Sequence, residues 1–122
     1  MPSSKEAPPH EISTLRNRLV DELKHHGYIR TSRVEAAFRA VPRHVFVPDA
    51  SLDAAYADQY ILTKFNHHGV AISSLSQPAI VAVMLEQLGL EPGCQVLEIG
   101  TGTGYNAALM ARRMIELYRR LV

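Results

Sequence analysis

The chain has 122 residues, 47% hydrophobic and 20% charged, and its 13 basic and 12 acidic residues leave a formal net charge of +1. That size and composition fit one small soluble domain and exclude a disordered chain, while the charge balance gives no reason to expect nucleic acid or an anionic membrane as partner. No apolar run approaches the roughly 20 residues that span a bilayer, and the polar, Pro-rich start lacks an apolar signal core, so a cytoplasmic location is expected.

Residues 1–10 read as a flexible leader carrying Pro2, Pro8 and Pro9, and residues 11–122 as the domain. From Glu11 the pattern is helical. Ile12, Leu15, Leu19 and Leu23 share one stripe, and Gly27 stops the helix. A second helix starts near Thr31 or Ser32, where Glu35 completes a capping-box pattern with Ser32. Val34, Ala37, Phe38 and Val41 form its apolar face, and Pro42 ends it. Residues 45–48 read as extended, because Pro48 disfavours helix at Val47. A helical turn over 54–57, a short strand over 60–63 and a turn over 66–69 follow. Val70, Ala71 and Ile72 then lead into Ser73-Ser74-Leu75-Ser76-Gln77-Pro78.

Pro78 suits a first helical position. Ile80, Val81, Met84, Leu85 and Leu88 supply a buried stripe, and Gly89 ends that helix. Cys94 has no cysteine partner for a disulfide and is expected as a small buried filler. A strand is expected over 95–99. A last helix runs from about Tyr105, with Leu109, Met114, Leu117, Tyr118 and Leu121 on its apolar side and Arg112, Arg113, Arg119 and Arg120 as a solvated basic face.

The chemistry concentrates in the run from Val96 to Tyr105. Glu98 closes the predicted strand, and Gly100, Gly102 and Gly104 alternate after it. Strand, glycine turn and helix is how a doubly wound α/β fold offers backbone to a nucleotide-like ligand. The spacing E-x-G-x-G-x-G is not the dinucleotide G-x-G-x-x-G, which disfavours a nicotinamide oxidoreductase, and no Lys-Ser or Lys-Thr pair marks a P-loop. An acid followed by such glycines is typical of enzymes that use S-adenosyl-L-methionine (SAM). In that role Glu98 accepts a hydrogen bond from an ammonium group. The three serines before Pro78 have a plainer reading as helix caps. Six histidines include the adjacent pairs His25-His26 and His67-His68, whose members do not face one way, and no H-E-x-x-H or Cys-rich pattern exists, so no metal is expected.

Four segments occur in order: Val41-Pro42-Arg43-His44-Val45-Phe46-Val47-Pro48, Ala55-Tyr56-Ala57-Asp58, Ser74-Leu75-Ser76-Gln77-Pro78 and the glycine loop. Together, over about residues 12–111, they resemble the protein-L-isoaspartate O-methyltransferase family. The resemblance implies a Rossmann-like, SAM-dependent α/β enzyme, preceded by helices, that esterifies the carboxylate of L-isoaspartyl residues for protein repair. It implies cofactor contacts from Ser73, Ser74, Leu75, Ser76, Glu98, Gly100, Thr101, Gly102 and Gly104, with Ser76 in the catalytic position. Methyl transfer from a sulfonium is direct displacement, so Ser76 would orient the acceptor carboxylate and not act as a nucleophile. Ser73-Ser74-Leu75 replaces the usual Q-T-I lead-in and is similar to a branch that methylates aspartate in modified peptides. Family members continue with a strand whose terminal acid holds the SAM ribose. The chain therefore reads as the N-terminal portion of such a domain, incomplete by itself, with a non-catalytic remnant or interaction module as the alternative.

Overall fold

A computed structural model describes residues 7–112 apart from Pro92. Helix α1 (Pro9–His25) begins earlier than expected, taking in Pro9 and His10. Pro9 lacks a donor that the first helical turn leaves unused anyway. Leu19, Val20 and Leu23 are buried, and Glu11 at the start and Lys24 at the end complement the helix dipole.

Helix α2 (Ser32–Ala40) is capped by Thr31, whose Oγ1 accepts from the Val34 N–H at 3.4 Å. The expected Ser32–Glu35 capping box does not form. Glu35 pairs instead with Arg39 at 2.9 Å and with Lys24 of α1 at 3.0 Å. The hydrogen bond from Arg39, then that from Lys24, holds its carboxyl below the usual carboxylate range. With Thr31 as the cap, Glu35 falls one residue beyond the capping-box position, and it is held instead by Lys24 across from α1 and by Arg39 one turn further along α2.

Of residues 45–48, expected as extended, Val45 and Phe46 belong instead to a 3-10 turn (Arg43–Phe46), and only Val47 leaves helical space, with φ −137° and ψ 65°. The constraint from Pro48 acts on Val47 alone. The short helix α3 (Leu52–Ala55) follows, with Ser51 Oγ accepting from the Ala54 N–H at 3.1 Å. Strands β1 (Ile61–Phe65) and β2 (Ala71–Leu75) pair antiparallel, with Ile61 opposite Leu75 and Phe65 opposite Ala71. The expected turn joins them: Asn66 Oδ1 accepts from the N–H groups of His68 and Val70 at 2.9 and 3.0 Å.

Helix α4 (Pro78–Leu88) starts and stops at the residues the sequence marks, with Gly89 closing it in the left-handed conformation at φ 57°. Its expected stripe divides. Val81 and Leu85 are buried with Pro78, Ala79 and Ala82, whereas Ile80, Met84 and Leu88 are exposed. Glu86 of α4 accepts from the Arg30 and Thr31 N–H groups at 3.0 and 2.9 Å, fastening α4 to the start of α2. The core joins α1, α2 and α4 to the helical residues 105–112 through Phe38, Leu23, Ala82, Tyr105 and Leu109.

The strand expected over 95–99 is absent among the described residues. Leu97 and Ile99 are 87% and 90% exposed. A strand exists by pairing its N–H and C=O groups, and no described segment lies beside this one to pair with. Cys94, expected buried, is exposed, and its sulfur accepts from the Glu91 N–H at 3.4 Å. The expectations for Met114, Leu117, Tyr118, Leu121, Arg113, Arg119 and Arg120 lie outside the described residues. No helix among the described residues is long and apolar enough to cross a membrane.

Candidate functional site

A cavity of about 440 Å³ opens between the end of β2, the outward face of α4 and the loop over 96–103. Ser73, Ser74, Leu75 and Ser76 line one side, and Glu98, Gly100, Thr101 and Gly102 line the other. Met84, Leu88 and Met110 supply apolar wall, which accounts for the exposure of Met84 and Leu88 on α4 but not for that of Ile80. Gly104 is the one expected site residue outside the lining. It sits behind the loop at φ 90°, where an added Cβ would lie 3.9 Å from Phe46 Cε1. A second cavity, about 490 Å³, lies between α2, α4 and residues 109–110; it shares Met110 with the first and holds none of the expected site residues.

Ser76 is exposed, and it does not cap α4. The residue before the helix is Gln77, which makes no side-chain cap bond. The Ala79 N–H is taken by Asp58 Oδ1 at 2.8 Å, and Gln77 Nε2 donates to the Asp58 carbonyl at 3.4 Å. The plain reading of Ser76 as a cap therefore fails, which leaves its hydroxyl free for the cavity. Among the described residues no base hydrogen-bonds that hydroxyl, so nothing activates it as a nucleophile.

Arg43 was not singled out from sequence, and it proves central. Its side chain is fully buried. Nε donates to the Ala55 carbonyl at 2.9 Å, and Nη2 donates to the carbonyls of Ser76 at 3.0 Å and Gln59 at 3.4 Å. The guanidinium carbon lies 5.0 Å from the ring centre of Tyr105, the residue after the glycine loop. Burial pushes the Arg43 pKa down, opposed by nearby Tyr105 and Asp58, yet a guanidinium stays charged. Tyr105 packs edge-on against Phe38 and Phe46, and burial raises its phenol pKa. One cation thus ties the serine segment, the loop after α3 and the start of the last helix together. The signal for it was present in the Val-Pro-Arg element, which composition alone does not interpret.

The glycine loop has left-handed backbone at Gly100 (φ 75°) and Gly102 (φ 60°), and nothing described lies within 4 Å of an added Cβ at either. Behind it, Asn106 Nδ2 donates to Glu98 Oε2 at 2.7 Å. Glu98 Oε1, Thr103 Oγ1 and Asn106 Oδ1 are buried without a hydrogen-bond partner. Unmet buried polar atoms are costly, and these three belong to residues that line the cavity. Among the described residues no group of three or more His, Cys, Asp or Glu could hold a metal ion.

Residues 14–122 match the family model of protein-L-isoaspartate(D-aspartate) O-methyltransferase (PCMT). The chain is 45% identical over 96 residues to the protein-L-isoaspartate O-methyltransferase of Methanopyrus kandleri, covering 79% of this chain and 40% of that one. With the Methylorubrum extorquens enzyme of the same name it shares 40% identity over 115 residues, 94% of this chain and 48% of the relative. The chain thus spans less than half the length of these curated relatives. A solved protein-L-isoaspartate O-methyltransferase superposes with a TM-score of 0.69 at 36% identity, over 81% of this chain and 30% of that one. A Plasmodium falciparum structure described as a beta-aspartate methyltransferase (PCMT), in complex with S-adenosyl-L-homocysteine, superposes with a TM-score of 0.67 at 25% identity, over 86% of this chain and 44% of its own. The fold is a partial α/β, Rossmann-like methyltransferase domain preceded by helices, in line with the expectation from the glycine loop. By sequence motifs, family model and structural likeness alike, the chain belongs to the protein-L-isoaspartate(D-aspartate) O-methyltransferase family.

Proposed function

We propose that the 440 Å³ cavity takes S-adenosyl-L-methionine and that the chain serves methyl transfer to the free carboxylate of L-isoaspartyl residues in proteins or peptides, a repair activity of the cytoplasm. The observation that carries this is the meeting of two distant segments. The Ser73–Ser76 stretch and the Glu98–Gly102 loop form opposite walls of one cavity. In this reading the residues from Pro9, where α1 begins, act as the cofactor-holding portion of the domain.

When bound, SAM would supply a methyl group that a carboxylate oxygen takes as the carbon–sulfur bond breaks, with S-adenosylhomocysteine as the leaving group. The chain's residues have no proton to move in that step, because the acceptor is already an anion. Their work is to bind, orient and keep water out. Gly100 and Gly102 let the loop backbone come close to the cofactor. Glu98 offers a carboxylate to its ammonium. The Ser76 hydroxyl, held by the grip of Arg43 on its carbonyl, donates to the acceptor carboxylate. Met84, Leu88 and Met110 shield the methyl path.

The test is transfer of labelled methyl from SAM to a synthetic peptide containing one L-isoaspartate, beside the same peptide with aspartate. Base-labile label on the isoaspartyl peptide alone is the expected result. Preference for the aspartyl peptide would point to the peptide-modifying branch. Label on neither, from a chain that still binds S-adenosylhomocysteine, would establish the interaction-module alternative instead.

A further inference from the structure

The glycine loop and Glu98 do not account for all of the polar atoms behind the cavity. Asn106 and Thr103 also line it, and each carries a buried oxygen with no partner. Asn106 lies in the first turn of the helical residues 105–112, eight positions after Glu98, and reaches back to it. Its amide nitrogen occupies Glu98 Oε2 at 2.7 Å, so Oε1 is the carboxylate oxygen left over. An amide has a fixed polarity: once Nδ2 donates to Glu98, Oδ1 is an acceptor facing elsewhere. Glu98 Oε1 and Asn106 Oδ1 are then acceptors without a donor, the first of them charged, and Thr103 Oγ1 is a hydroxyl that can accept or donate.

We propose that Asn106 is the positioning residue of this site: it locks the Glu98 carboxylate in one orientation and, with Thr103, selects ligands that end in an ammonium group. The proposal rests on the SAM reading above and deepens it. A cationic N–H donor is the chemistry that best suits the unpartnered oxygen of a carboxylate, and the neutral oxygens of Asn106 and Thr103 can accept from the same kind of group. The purine and ribose of the same ligand offer only neutral donors. A ligand without its amino-acid end should therefore be indifferent to Asn106.

The experiment titrates two probes, S-adenosylhomocysteine and 5′-methylthioadenosine (which lacks the amino-acid end), into the full chain and into Asn106→Leu and Thr103→Val. Leucine keeps the volume of Asn106 and removes the amide. Charge-assisted hydrogen bonds imply that S-adenosylhomocysteine weakens about ten-fold or more in Asn106→Leu. In Thr103→Val, a near-isosteric change, it should weaken by a smaller factor. Methylthioadenosine affinity should stay within about two-fold throughout on the same account. Parallel weakening of both probes would mean a purely structural role and overturn the proposal. Unchanged S-adenosylhomocysteine affinity in both variants would overturn it as well, while leaving the cofactor reading intact. Should Asn106→Leu fail to fold, Thr103→Val decides by the same ratio. No binding of S-adenosylhomocysteine by the unmodified chain would remove the cofactor reading, and this proposal with it.

Discussion

Arg43→Met should lower the stability of the folded chain by about 3 kcal/mol or more, the largest effect expected of any single substitution here. The change removes a guanidinium that satisfies three carbonyls, on Ala55, Gln59 and Ser76. The Ala55 carbonyl is buried and costs about 1–3 kcal/mol once orphaned, those of Gln59 and Ser76 are part-buried and add less, and methionine restores the packing but neither donor nor charge. Small domains hold only about 5–15 kcal/mol in total, so such a loss takes a large part of it. Arg43→Lys should fall between, because an ammonium carries the charge but cannot span the three acceptors as a planar fork does. Urea unfolding of the three proteins checks this. A midpoint for Arg43→Met close to that of the parent would show that the carbonyls find other partners and that Arg43 does not organise the site.

Gly102→Val should do the opposite: leave the fold and remove the ligand. Gly102 has φ 60°, a conformation that a β-branched residue adopts only under strain, costing about 1–2 kcal/mol. Nothing described lies within 4 Å of the new Cβ, so no core contact is lost. Gly102 lines the cavity, so the added bulk stands at the wall where the ligand is expected. We expect S-adenosylhomocysteine affinity to drop at least 100-fold, about 2.8 kcal/mol, while thermal unfolding shifts by only a few degrees. Retained affinity would place the ligand somewhere other than against this loop. Arg43 and Gly102 thus separate what builds the cavity from what the cavity does.

Legibility in the sequence followed how local each signal was. Pro78 and Gly89 bound α4 because proline and glycine act on their own backbone. Asn66 closes the hairpin turn through its own side chain, again a local effect. The walls of the cavity were legible for two other reasons: the glycine loop carries chemistry-bearing residue types at fixed spacing, whereas Ser73–Ser76 point to a site only through the family resemblance. What failed depended on distant partners. The apolar run at 96–99 has the composition of a strand, but a strand needs a neighbour and none lies among the described residues. Glu35 has the spacing of a capping box with Ser32, yet Lys24 and Arg39 claim it. Arg43 reads as a surface charge in any composition count, and only the convergence of three carbonyls makes its burial tolerable. Asn106 was passed over because its partner, Glu98, lies across the loop.

The central claim is that two walls, one from β2 and one from the glycine loop, form a SAM site within these 122 residues. Calorimetric titration of S-adenosylhomocysteine into the purified chain tests it most directly. The account predicts saturable binding with one ligand per chain. A folded sample that takes up no heat across the titration would contradict it, leaving the family membership in place but not the ligand site.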